Sequence, residues 1–406
     1  MKRALIMALL LAMPAVAAAQ QDVSQIARGQ YLATVGDCAA CHTTPGSAPY
    51  AGGLPIETPF GSVLAPNLTP DADTGIGTMS DEVFVAALQS GRSFGGQRLY
   101  PAMPYPYYTK VNRDDILAIR AYLRTLPAVN HKVVANQLPF PFSIRTLLVG
   151  WNLLFFDDGR FVPMAGKSDQ WNQGAYLVQG LGHCGACHTE KNAFGGDKTK
   201  QALQGSLLQN WYSPNLTGDS RTGLGNWSPE EVVAYLKTGH NHTSAATGPM
   251  AEVVSLSTSQ MSSDDLMAIA VYLKDQPAQN SQPPAAIAGD TAAMQSGKAV
   301  YRDNCAACHA ASGKGVAGLF STLKGSPSVQ SADPTTLIRI ILQGTQSVAT
   351  DSAPTGAAMP SLAWKLSDRQ IADVITYIRN DWGNAAAAVE TDSVQHLRES
   401  LAQSNP

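Results

Sequence analysis

The sequence predicts an all-α protein of three small tandem domains with long loops. Three observations carry that expectation. The pattern Cys-x-x-Cys-His occurs three times, at Cys38–His42, Cys184–His188 and Cys305–His309, and uses all six cysteines of the 406-residue chain. The first two thirds of the chain repeat themselves, with an offset of 148 between Pro66-Asn67-Leu68-Thr69 and Pro214-Asn215-Leu216-Thr217. Each of three units also ends in an amphipathic stretch with apolar residues on one helical face.

The motif has a specific chemistry. Two thiols three residues apart lie on one side of a helical turn, where each can form a thioether to a porphyrin vinyl group. The histidine after the second thiol then points its ring at the iron. A zinc site needs Cys pairs to converge in twos, which leaves one of three unmatched. A thioredoxin-like pair sits beside a βαβ pattern, and none is present. Neither explains a histidine after the second cysteine in every copy. The motifs therefore read as sites for three covalently bound haem c groups. Cys38, Cys41, Cys184, Cys187, Cys305 and Cys308 attach them, and His42, His188 and His309 are the proximal iron ligands. A helix before each motif, a helix at the end of each unit and loops between is the plan of a class I cytochrome c domain.

Haem is joined to such motifs outside the cytoplasm, and the start of the chain agrees. Met1-Lys2-Arg3 is basic, residues 4–16 are apolar and Ala17-Ala18-Ala19 suits a signal peptidase, so residues 1–19 read as a signal peptide. The apolar run is too short for a membrane span. Loss of the two cations Lys2 and Arg3 takes the formal charge from −3 to −5. Nucleic-acid binding is not expected of such a chain. With 35 Gly, 25 Pro and only 15% charged residues, the composition fits helices joined by long packed loops.

The first domain is expected over 20–130. Ser80 caps a helix with Asp81 and Glu82 in its first turn, where acidic side chains meet the helix dipole. Its closing helix follows Asp114-Asp115 with Ile116, Ile119, Tyr122, Leu123 and Leu126. The stretch 131–170 holds Pro139-Phe140-Pro141-Phe142 and Leu153-Leu154-Phe155-Phe156. That aromatic density predicts a packed inter-domain segment, with partner docking as the sharper alternative. The second domain, 171–277, repeats the first. Ser228 opens a helix as Ser80 does, and Leu266, Ile269, Tyr272 and Leu273 form its closing stripe. Residues 278–290 read as a plain linker. The third domain, 291–384, lacks Pro-Asn-Leu-Thr and closes on Ile371, Val374, Tyr377 and Ile378. Gly29, Gly174 and Gly297 precede their motifs by eight to ten residues, which would let first and last helices cross closely. Pro66 and Pro214 are placed to turn a carbonyl toward the proximal histidine ring. The tail, 385–406, is polar, with a short stripe of Val394, Leu397 and Leu401. That stripe is enough for one interfacial or partner-binding helix and too little for a span.

What fills the sixth iron position separates electron carriage from catalysis. Eight methionines remain after position 19. Met103, Met250 and Met359 stand in Pro-containing stretches 61, 62 and 50 residues after their histidines, and the first two are 147 apart, in step with the repeat. These three are the expected distal ligands. Met79 has no counterpart in the second unit, and Met261 and Met267 fall at or inside a closing helix. His240 and His242 are the rival ligands for the second haem; His183, directly before Cys184, reads as a surface residue or one behind the ligands, and His131 and His396 carry no motif.

The runs Trp151-Asn152-Leu153-Leu154-Phe155-Phe156, Trp171-Asn172-Gln173-Gly174-Ala175-Tyr176-Leu177 and Gly182-His183-Cys184-Gly185-Ala186-Cys187-His188-Thr189 carry a family resemblance. The chain resembles the three-haem cytochrome c subunits of bacterial membrane-associated dehydrogenases, which serve alcohol, gluconate, sorbitol and fructose oxidation. The likeness runs from about residue 25 to 384. It implies a large catalytic partner subunit, of flavin, pyrroloquinoline quinone or molybdenum type. That partner would oxidise an alcohol, sugar, sugar acid or aldehyde in the periplasm, at the outer face of the inner membrane. Electrons would pass to ubiquinone or a terminal oxidase. Related subunits often continue into a hydrophobic C-terminal segment; the polar tail here implies peripheral membrane contact at most. The expected function is electron transfer with no catalytic residues of its own. A free-standing multihaem carrier and a multihaem peroxidase are the competing readings, and the peroxidase needs an open distal position.

Overall fold

A computed structural model describes residues 22–278 and 282–404. The signal-peptide reading of 1–19 lies outside these residues. The chain divides into two compact units. One holds residues up to Pro163 together with Gln179–His183, and the other holds Met164–Val178 and the chain from Cys184 onward. Both are helical, as predicted, and small two-stranded antiparallel ribbons are added to the helices.

In the first unit, helix α1 spans 22–35 and the motif forms a short helix, α2 (Cys38–His42). A ribbon of β1 (Pro55–Thr58) and β2 (Gly61–Leu64) follows, with Ile56 opposite Val63. Then come α3 (Asp81–Ser90), α4 (Tyr105–Tyr108), α5 (Arg113–Leu123) and α6 (Leu147–Phe155). The Ser80 hydroxyl accepts from the Val83 N–H, as its N-cap position demands. Helices α1 and α5 cross at Gly29. An added methyl there would sit 1.8 Å from the Ala118 carbonyl oxygen and 3.0 Å from Tyr122 Cβ, so only glycine lets the backbones approach. Beside the crossing, Arg28 Nε donates to the buried Asp115 carboxylate at 2.8 Å.

The aromatic stretch is two-faced. Leu148 and Asn152 of α6 are buried, and Phe156, just past the helix end, meets Tyr105 edge-on at 5.2 Å. Phe142 packs on Phe60 at 4.9 Å. Leu147, Val149, Leu153 and Leu154 on the outer side are exposed, Leu153 by 86%. Intramolecular packing therefore accounts for one face only.

The second unit repeats the plan twice. Its elements are α7 (Asp169–Tyr176), α8 (Gly185–His188), ribbon β3 (Ser206–Leu208) and β4 (Trp211–Ser213), α9 (Pro229–Thr238), α10 (Pro249–Leu256) and α11 (Ser263–Lys274). They continue as α12 (Ala292–Asn304), α13 (Ala306–His309), α14 (Pro327–Gln330), α15 (Thr335–Gln343), ribbon β5 (Thr345–Gln346) and β6 (Ala358–Met359), α16 (Asp368–Ile378) and α17 (Thr391–Ser404). Ser228 and Ser367 each form a full capping box, with Glu231 and Gln370. The glycine crossing recurs. A methyl on Gly174 would lie 1.9 Å from the Ala268 carbonyl oxygen, and one on Gly297 would lie 2.1 Å from that of Asp373. Tyr272 and Tyr377 stand beside these glycines as Tyr122 stands beside Gly29.

The tail departs from expectation. Its stripe does not face outward. Val394, Leu397 and Leu401 of α17 pack into the same core as Ile338, Leu342, Ile371 and Ile375. Leu397 and Leu401 follow Val394 at helical spacing, so one face of α17 buries all three. Val394→Asp places a carboxylate at a site with 0% exposure. It is expected to destabilise the second unit by more than about 3 kcal/mol, read as a lowered denaturant midpoint. An unchanged midpoint would show that α17 detaches freely.

Candidate functional site

The three motif helices are entered differently. Asp37 and His183, each immediately before its first cysteine, adopt left-handed backbone at φ 50° and 37°. That turn breaks the preceding helix and swings the motif out of line. At the third motif, α12 instead runs to Asn304, directly before Cys305. His183 is thus a turn residue, its Nδ1 2.9 Å from the Leu181 carbonyl oxygen.

All three motif histidines are held alike. The Nδ1 of His42 faces the Pro66 carbonyl at 2.8 Å, that of His188 the Pro214 carbonyl at 2.7 Å, and that of His309 the Ser321 carbonyl at 3.0 Å. A ring nitrogen facing a carbonyl oxygen carries the proton, which leaves the Nε2 lone pair for a metal. Burial pushes the pKa of all three rings below the ordinary histidine value, against the opposing pull of the carbonyl. They are therefore neutral at physiological pH, as ligands must be. The roles read into Pro66 and Pro214 hold, and Ser321 takes that place where the third unit lacks the proline.

The repeated Pro-Asn-Leu-Thr explains how those carbonyls are fixed. Asn67 is buried. Its Oδ1 accepts from the Thr69 N–H at 2.9 Å, and its Nδ2 donates to the Val129 carbonyl at 2.8 Å. Asn215 repeats the first bond with Thr217 at 2.8 Å. A buried side-chain amide that is satisfied on both ends pins the loop next to the proline.

A further threefold contact was not legible in the motifs. The main-chain oxygen of each motif histidine accepts from a glycine N–H: Gly52 to His42 at 2.8 Å, Gly205 to His188 at 2.9 Å and Gly315 to His309 at 3.0 Å. All three glycines have positive φ. The separation from the histidine is 10, 17 and 6 residues, so no fixed spacing reveals it.

All six cysteines are free of disulfides. Burial pushes the Cys38 and Cys184 thiols up to about 12 and that of Cys305 up to about 11, so each stays protonated at neutral pH. Cys305 and Met359 both pack against the third-motif core, which brings one motif cysteine and one predicted distal ligand to the same cluster.

The three methionines occupy different local structures. Met103 lies in a turn before α4, with its N–H on the Tyr100 carbonyl at 3.0 Å. Met250 is in the first turn of α10, a helix where a loop was expected. Met359 is on β6, opposite Thr345. All three are partly buried. Of the two rival ligands for the second haem, His242 has a side-chain partner and His240 is held through its main chain. His242 pairs with Glu231, His131 Nδ1 lies 2.8 Å from the Ala51 carbonyl oxygen, and the His240 backbone bridges to Ala245.

The donor sets fit haem. Each motif offers two thiols and one neutral imidazole, with the ring oriented by a carbonyl. Among the described residues, no three His, Cys, Asp or Glu side chains converge as a bare metal ion would require. The cytochrome c family model matches residues 26–127 and 294–382, which hold the first and third motifs. The chain is 39% identical over 400 residues to the gluconate 2-dehydrogenase cytochrome c subunit of Pantoea cypripedii, covering 94% of this chain and 91% of that one. It is 39% identical over 399 residues to the cytochrome c subunit of alcohol dehydrogenase (quinone) from Gluconobacter oxydans (strain 621H), covering 93% and 83%. It is 35% identical over 400 residues to the fructose dehydrogenase cytochrome subunit of Gluconobacter japonicus, covering 92% and 82%. Likeness of this extent, on motifs folded in this way, shows that the chain belongs to the cytochrome c family, alongside these dehydrogenase cytochrome subunits, and that it binds haem c covalently.

Proposed function

We propose that the chain holds three haem c groups and conducts electrons from a dehydrogenase subunit to the respiratory chain. The observation that carries this is the proximal geometry, built three times with the same carbonyl and the same glycine contact. Cys38 and Cys41, Cys184 and Cys187, and Cys305 and Cys308 form the thioethers. His42 with Met103, His188 with Met250 and His309 with Met359 would hold the iron. When bound, haem c supplies reversible one-electron chemistry at iron. The chain's part is to offer these residues to the iron and to orient each histidine ring through its carbonyl. A closed distal position favours conduction over peroxide chemistry.

The units carrying this chemistry are 20–130, 171–277 and 291–384. The relatives are named as subunits of gluconate, alcohol and fructose dehydrogenases, which supports a dehydrogenase partner; in this reading it is a large catalytic subunit of flavin, pyrroloquinoline quinone or molybdenum type. The exposed apolar face of α6 suits such a contact, since contiguous apolar surface marks association sites. A signal peptide over residues 1–19 would carry the protein to the periplasm, and the family resemblance supports the outer face of the inner membrane, with ubiquinone or a terminal oxidase as acceptor. No helix among the described residues is long and apolar enough to cross a membrane, so contact there is peripheral in this reading.

Two measurements test it. Met359→Ala is expected to remove one haem's share of the weak long-wavelength band of thioether-ligated ferric haem, to add high-spin absorbance and to lower one midpoint potential. An unchanged spectrum and potential would remove Met359 from the ligand set. Purification from native membranes is expected to bring down a large dehydrogenase subunit; recovery of the chain alone would favour a free carrier.

A further inference from the structure

The β3–β4 hairpin contacts both the loop that holds the His188 ring and the cap of the helix that carries Met250. At the first, Gly205 just before β3 donates to the His188 carbonyl, and Pro214 just after β4 receives the His188 ring at 2.7 Å. At the second, Trp211 lies against Gly248, the residue that caps α10 two positions before Met250. A methyl on Gly248 would fall 2.5 Å from the indole ring, and the residue has φ 55°, so both space and backbone require glycine there.

The same hairpin is gripped by helices from the third-motif part of the unit. The Arg339 guanidinium, on α15, stacks over the Trp211 ring at 4.4 Å. Its Nη1 donates to the Gln209 carbonyl at 2.8 Å and the Asn210 carbonyl at 3.2 Å. These are the two turn residues, at φ 51° and 59°, the conformation that matches the twist of a two-residue hairpin. Thr336 accepts from the Tyr212 N–H at 2.8 Å and donates to its carbonyl at 3.1 Å. Asn210 reaches Ser400 of α17 at 2.9 Å. The remaining hydrogen bond of Arg339 goes to the neutral Gln343 amide at 3.0 Å, and no ion pair to it is present among the described residues. Among these residues no carboxylate lies within ion-pair distance of it, while Asp333 and Glu190 act electrostatically on the neighbouring Tyr212.

We propose that Trp211 and Arg339 form a positioning pair through which the third-motif region tunes the second haem. Trp211 fixes the backbone that presents Met250. Arg339 fixes Trp211 and holds a positive charge on that side of the site. A nearby cation stabilises the reduced state, so the pair raises the second midpoint potential. This rests on His188 and Met250 as the ligands of that haem, and the experiment separates the two.

The test is a spectroelectrochemical titration of the haem-loaded full chain. Met250→Ala first identifies the second haem as the midpoint that moves with loss of one share of the thioether band. If Met250→Ala moves neither, the ligand assignment fails and the pair falls with it. Given that marker, Arg339→Met is expected to lower the same midpoint and leave the other two in place, while Arg339→Lys retains most of the wild-type value. Trp211→Leu is expected to weaken the thioether band by one haem's share, and Trp211→Phe to restore it. Arg339→Gln removes the charge with a smaller change in packing, should Arg339→Met load haem poorly. Unmoved midpoints in Arg339→Gln, or an equal shift in all three, would overturn the pair while leaving Met250 as ligand.

Discussion

Gly297→Val is expected to prevent the third-motif region from folding. A single methyl at this position would lie 2.1 Å from the Asp373 carbonyl oxygen and 2.7 Å from both the Asp373 carbonyl carbon and Tyr377 Cβ. The obstruction is backbone, so no rotamer change relieves it, and α12 and α16 must separate. Those helices supply much of the core around Tyr301, Ile371, Val374 and Ile375. Overpacking a core costs about 1–3 kcal/mol where side chains can yield. Here the loss should exceed about 4 kcal/mol, placing it among the severe substitutions. Chemical denaturation followed by circular dichroism reads it directly. Lys298→Val, one residue on and exposed, is the control, with an expected change within about 0.5 kcal/mol. Equal behaviour of the two variants would mean that the crossing relaxes without penalty.

The second large effect concerns the second motif. Cys184→Ser combined with Cys187→Ser removes both thioether positions, and haem content is expected to fall by one per chain in an alkaline pyridine assay. The structural consequence should go further. His188, itself buried, would have its ring held on Pro214 with nothing to ligate. A group bound at 1,000 times its dissociation constant contributes about 4 kcal/mol of stability, and tethering keeps the effective concentration high. Loss of both tethers should therefore depress the thermal midpoint of the second unit along with its haem. Full haem content in the double variant would remove this motif from the attachment set.

Much of the fold could be read in the sequence because its strongest constraints are local. Ser80 and Ser228 cap the helices they were expected to open. The three glycines before the motifs sit where helices cross, because close approach of two backbones demands the one residue without Cβ. Pro66 and Pro214 orient the histidine rings because the buried Asn67 and Asn215 hold their loops. Other features depend on tertiary context. Gly52, Gly205 and Gly315 serve one role at three different spacings, which no repeat search aligns. Ser321 contributes only a backbone carbonyl, a role open to any residue, so its identity carries no signal. Met250 stands in a helix because Pro249 suits a first helical turn as well as a loop. The stripe on α17 had the right period, but periodicity gives a face and not its partner; the face proved to be filled by the third-motif core.

The glycine crossings also set a clock. Ala118 follows Gly29 by 89 residues, Ala268 follows Gly174 by 94, and Asp373 follows Gly297 by 76. Each crossing joins the two ends of a unit, so it cannot close until the whole unit has emerged and its ends have met. Contacts this distant in sequence form slowly. The thiols lie beside the earlier helix of each pair and are reachable throughout that delay. An attachment step during that interval would meet an open unit, with the last helix as the latch that shuts behind it.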